Sequence, residues 1–178
     1  MGDADYGGDS SSVQAELKAV DTIYSNKNAF AAKLKNGTVV TWGDRRWGGN
    51  SSSVQAELKK VEKIYSDFFA FAARLVDGSV VTWGDADCGG DSSAVQAKLK
   101  NVDTIYSTEF AFAAKLKDGT VVTWGDLKRG GDSSSVQTEL RAVDTIYSTD
   151  NAFAAKLLDR SVVTWGHKDG GGNYTPLY

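Results

Sequence analysis

Val39-Val40-Thr41-Trp42 decides the reading, because it returns three times, as Val80-Val81-Thr82-Trp83, Val121-Val122-Thr123-Trp124 and Val162-Val163-Thr164-Trp165. Every step is 41 residues, so the chain divides without insertion into units 2–42, 43–83, 84–124 and 125–165. Residues 166–178 restart a fifth unit that departs from the pattern at Tyr174. A fixed period of this length marks a solenoid, a propeller or a similar array. One unit cannot bury its own apolar face and stacks on its neighbours instead. With no linker between copies, residues 1–178 are expected to form a single repeat array.

Working outward from the tetrapeptide, residues 38–42 read as a β-branched strand. Asn36-Gly37 before it is a two-residue hairpin signal, repeated as Asp77-Gly78 and Asp118-Gly119. Residues 29–34 (AFAAKL) and 20–25 (VDTIYS) supply two more strands. Asp9-Ser10-Ser11-Ser12 precedes Val13, Leu17 and Val20, a stripe at i, i+4 and i+7, and Ser11 with Gln14 has capping-box spacing. The spacing predicts a short helix over residues 11–19 that neighbours must hold in place. Unit four breaks one rule: Asp159-Arg160 stands at the hairpin where positive φ is needed, at a cost of about 1 kcal/mol.

Composition excludes several function classes. The net charge is −3, the wrong sign for gripping nucleic acid. A single cysteine, Cys88, rules out an internal disulfide framework and a thiolate metal cluster, and a single histidine, His167, leaves no His-rich metal site. One proline, Pro176, among 178 residues excludes proline-rich and collagen-like chains. No stretch approaches the roughly 18 apolar residues of a membrane-spanning helix, so no membrane insertion is expected. No signal peptide is visible at the start, and with a free Cys88 this favours an intracellular location.

Val102-Asp103-Thr104-Ile105, then residues 111–116 (AFAAKL), then Asp118-Gly119-Thr120-Val121-Val122-Thr123-Trp124-Gly125 together resemble the RCC1 repeat, in the short form of HERC-like arrays. The match recurs in all four units. The resemblance implies β-propeller-type blades and a protein-interaction role. Two departures stand out. The predicted helix replaces a fourth strand, and Gly-Asp-x-x-x-Gly-Gly-Asp follows the tryptophan where the family has Asn-x-x-Gly-x-Leu-Gly. The expected fold is an α+β repeat protein of RCC1-like, propeller-type units, each a three-stranded antiparallel sheet with a short helix. A closed four-bladed ring is favoured over an open solenoid, because none of the units looks like a polar cap.

Chemistry has few places to sit. The repeated tryptophans and the tyrosines 24, 65, 106 and 147 read as packing between repeats. Asp3, Asp5 and Asp9, echoed by Asp85, Asp87 and Asp91, form the only metal-like motif, a weak calcium alternative, because units two and four place Arg46 and Lys128 where a ligand would be. The Gly-Gly pairs lack the spacing of a phosphate loop. No nucleophile, base and orienting group converge, so no enzyme and no cofactor are expected.

Units differ most at residues 4–6, 45–47, 86–88 and 127–129, and at 26–28, 67–69, 108–110 and 149–151. With strands running up, down and up, both variable loops fall on one rim and the hairpins on the other. The expected partner-binding residues are Arg45, Arg46, Trp47, Phe68 and Phe69 in unit two, then Glu109, Phe110, Lys128 and Arg129. The expectation is a non-catalytic scaffold for a protein partner, with self-association allowed. A glycan- or calcium-binding module and a structural subunit of a larger assembly are the alternatives.

Overall fold

The computed structural model describes residues 6–172. Each β-branched run is the outer member of a three-stranded antiparallel sheet, and the four sheets follow one another along the chain. Unit one contains β1 (Val20–Ser25), β2 (Ala29–Leu34) and β3 (Val39–Gly43). Unit two contains β4 (Val61–Ser66), β5 (Ala70–Leu75) and β6 (Val80–Gly84). Unit three contains β7 (Val102–Ser107), β8 (Ala111–Leu116) and β9 (Val121–Gly125). Unit four contains β10 (Val143–Ser148), β11 (Ala152–Leu157) and β12 (Val162–Gly166). Every first pairing carries the same register shift, between Val20 and Thr22 in unit one.

The hairpin differs from the two-residue turn expected. Leu34 donates its N–H to the carbonyl of Thr38, and Gly37 donates to that of Leu34, so three residues make the loop. Only Gly37 has positive φ (81°), as a turn followed by a glycine bulge requires. Asn36 Oδ1 accepts from the backbone and the hydroxyl of Thr38. In unit four Arg160 takes the glycine's place at φ 74°.

The expected helix over residues 11–19 is not formed; the segment is a 3-10 turn, Ser11–Val13, followed by looser turns. The capping box is absent as well. Asp9 Oδ1 accepts from Ser11 N–H at 2.8 Å, and Gln14 Nε2 donates to Ser10 Oγ at 2.7 Å. Serine runs bond locally to the backbone and compete with helix, and two turns cannot sustain themselves in water. The chain instead reverses at Ala19, Lys60, Asn101 and Ala142, all non-glycine residues at φ 54–56°. The segment's role lies across the junction between units. Gln55 Nε2 donates to the Val39 carbonyl (3.0 Å), and Ser51 Oγ bridges Gln55 Oε1 and Thr41 Oγ1. The turn thereby satisfies the outer edge of the preceding unit's sheet, where a fourth strand would otherwise pair.

The core lies between units. At the first junction Ala31 and Val39 of unit one pack with Leu58, Val61, Ile64 and Phe71 of unit two, and the other two junctions repeat the set. Within each unit the strand-three tryptophan stacks on a phenylalanine of strand two, as Phe71 does on Trp83 at 5.3 Å. Its indole N–H donates to a leading-loop carbonyl: Trp83 to Gly48, Trp124 to Gly89 and Trp165 to Gly130, each at 3.1 Å. These tryptophans are 2–4% exposed, so their repetition is packing, with the polar handle satisfied.

Candidate interaction site on the rim

The antiparallel order brings the two variable loops of each unit to one rim. Backbone bonds join the loops of successive units along the inner edge: Lys27 N–H to Phe68, Phe68 N–H to Glu109, and Glu109 N–H to Asp150. Ser66 and Ser107 hydroxyls donate to the carbonyls of Ser25 and Ser66 in the preceding units. The four loops line a depression of about 680 Å³.

Above this ladder sits an aromatic cluster drawn from units two and three. Trp47 meets Phe69 edge-on at 4.8 Å, Phe69 touches Phe68 at 6.2 Å, and Phe69 lies 5.5 Å from Phe110. Cations cover its flanks. The Arg129 guanidinium lies 3.9 Å over the Phe110 ring, Arg46 lies 5.7 Å over Trp47, and Lys27 lies 5.8 Å over Phe69. Phe68 is 39% exposed, and the other three rings are half-buried. Arg45, Arg46, Trp47 and Tyr6 line an adjoining depression of about 450 Å³. Arg46 also pairs with Asp44 at 2.8 Å, which holds that carboxyl below the ordinary value.

Of the residues expected from sequence, Arg46, Trp47, Phe68, Phe69, Phe110 and Arg129 come together in this cluster. Arg45 and Lys128 stand exposed beside it, and Glu109 contributes its backbone to the ladder. Lys27 was missed. It lies in a variable loop, but no pattern in the sequence joins it to Phe69.

Among the described residues the metal alternative finds no converging ligands. Asp3 and Asp5 lie outside the described residues. Asp85 Oδ1 accepts from Asp87 and Cys88 N–H groups, while Asp91 Oδ1 accepts from Ser93 N–H, so the two carboxylates cap separate turns. Among the described residues no three His, Cys, Asp or Glu side chains group as metal ligands. The Cys88 thiol is pushed up to about 12 by burial, helped by Asp85 and Asp67, which leaves it protonated and unreactive.

The residue that fixes the loop under Phe69 is Asp67, at only 4% exposure. Its Oδ1 accepts from Phe69 N–H (2.7 Å) and Ala70 N–H (2.6 Å). In the other units this position is Asn26, Thr108 or Thr149, and each donates outward as well: Asn26 to the Trp47 carbonyl, Thr108 to Arg129 and Thr149 to Gly170. The 41-residue register makes the carbonyl of Cys88, in unit three, the position that corresponds for Asp67. An ionised Asp67 has nothing to donate, and its Oδ2 is buried without a partner. Burial raises this carboxyl from 3.8 to about 8, with Asp85 adding to the rise. The neutral acid can donate as its three counterparts do.

No protein-family model matches the chain, and no curated protein matches it in sequence. Its fold is that of RCC1-like propeller proteins. Prp20p from Saccharomyces cerevisiae, solved in work on its binding to Gsp1p and histones, aligns at TM-score 0.60 with 18% identity over 86% of this chain and 46% of that one. Yeast RCC1 (Prp20) in a complex with Kap60 aligns at 0.59, with 18% identity over 86% and 45% of the two chains. Human WBSCR16 aligns at 0.54, with 16% identity over 83% and 47%. The chain therefore spans a little under half the length of these structures.

Proposed function

We propose that the chain is a non-catalytic scaffold that binds a protein segment on its variable rim, displayed by an array that does not close on itself as a four-bladed ring. The observation that carries this reading is the cluster of Trp47, Phe68, Phe69 and Phe110, which joins loops of two units and stays accessible. Aromatic and arginine side chains placed centrally on a surface are the residues on which binding energy concentrates. The cations beside the rings give the partner its chemistry: an extended segment combining apolar side chains with acidic ones. Prp20 is described bound to Kap60 and in relation to Gsp1p and histones, and these protein partners support the same use of this fold. No catalytic role is assigned to Cys88, which burial holds as the thiol, or to His167, whose Nδ1 accepts from Asp169 N–H in a turn.

The test is a randomised peptide display panned on the intact array. Acidic sequences carrying aromatic or aliphatic residues should be enriched. Their affinity should fall at least tenfold, about 1.4 kcal/mol, in Phe68→Ala or Arg129→Ala. Equal binding to the native chain and both variants would overturn the assignment.

A further inference from the structure

Each internal junction is made of two unlike halves. At the first, Tyr24, Ala31 and Val39 of one unit meet Leu58, Val61 and Ile64 of the next, and the Val61 N–H donates to the Gly37 carbonyl at 2.9 Å. Among the described residues, the two ends of the array carry the same halves exposed. Ile23 is 54% exposed, where Ile64, Ile105 and Ile146 are 1–3%. At the other end Val162 is 46% exposed, where Val39, Val80 and Val121 are 1–2%, and Tyr147 is 58% exposed. The halves are complementary by construction, because the repeat that packs inside the array also forms its ends. The end faces are distinct from the rim and stand independently of the function proposed for it.

We propose that a second copy of this chain covers these faces head to tail, the last unit of each copy packing on the first unit of the other, so that a reciprocal pair leaves neither end open. Head-to-tail contacts form either closed rings or endless filaments, and reciprocal pairing is the smallest assembly that buries every end face. One residue loosens the contact. A Cβ added at Gly37, Gly78 or Gly119 would meet the next unit's backbone at 3.0–3.1 Å, and Arg160 carries a Cβ at that position. The joint between copies is therefore less tight than the joints within one.

Sedimentation velocity of the full chain from about 1 to about 100 µM, the range for a contact of moderate affinity, tests the proposal. The expected result is a reversible shift from the 19.0 kDa chain to a particle of twice that mass. Ile23→Asp, at an exposed position, should keep the native tryptophan fluorescence and remain monomeric throughout. Arg160→Gly should lower the dissociation constant by about fivefold or more. A native chain that stays monomeric, a pair unaffected by Ile23→Asp, or species growing without limit would each overturn it.

Discussion

Asp67→Asn should stabilise the protein at neutral pH and remove a pH dependence that the native chain shows. The folded carboxyl is raised from 3.8 to about 8, so between those values the folded chain keeps a proton that the unfolded chain has released. The stability owed to the neutral acid is complete below about pH 4. It falls by about 1.4 kcal/mol per pH unit as pH rises and levels off once the folded group ionises near pH 8. Between pH 4 and pH 7 the native chain should thus lose on the order of 4 kcal/mol at this site. Asparagine needs no proton to donate, as Asn26 shows with its 2.6 Å bond to the Trp47 carbonyl. Urea unfolding followed by tryptophan fluorescence at intervals from pH 4.5 to 9 measures the difference. The two curves should diverge as pH rises, with the variant the more stable above pH 6. Parallel curves, or a variant weaker than the native chain at pH 7, would refute the neutral-acid account.

Other substitutions report on the junctions and turns. Leu99→Ala, at a side chain 1% exposed, should cost about 2–5 kcal/mol in urea unfolding, by lost burial and the cavity left at the second junction. Gly119→Ala should cost about 1 kcal/mol or more, because φ is +80° and the new Cβ would lie 3.1 Å from Ala142 Cα; Arg160→Ala, at the open end, should change stability by a few tenths. Asp118 is held below 3.8 by the Thr120 hydroxyl and N–H. Its contribution is present above the ordinary carboxylate value and lost as pH falls through the folded one. Asp118→Asn, the residue type at position 36, should keep the turn and flatten the stability profile below pH 4.

The period, the strands and the side on which the variable loops fall could be read from the sequence because identical tetrapeptides fix the register and alternating topology fixes which loops share a side. The helix over residues 11–19 was misread because its apolar stripe is real but does not lie on one helix. Leu58 and Val61 reach the same junction from a turn and a strand, joined through Lys60 in a left-handed conformation that a sequence does not advertise in a lysine. The rim cluster was half legible: unit-to-unit variation marked Trp47, Phe68 and Phe69, whereas the Lys27–Phe69 contact depends on how far one loop leans across a junction. Asp67 lay in a variable loop. Its meaning emerges only when its unpartnered buried Oδ2 is compared with the outward hydrogen bonds of Asn26, Thr108 and Thr149.

The fold and the rim both depend on the claim that the stabilising contacts lie between units. The direct measurement is equilibrium unfolding of arrays of one, two, three and four units cut at residues 43, 84 and 125. A single 41-residue unit should be unfolded in dilute buffer, and each added junction should raise the unfolding free energy by a similar increment. A lone unit that unfolds cooperatively, with further units leaving its midpoint unchanged, would contradict the account.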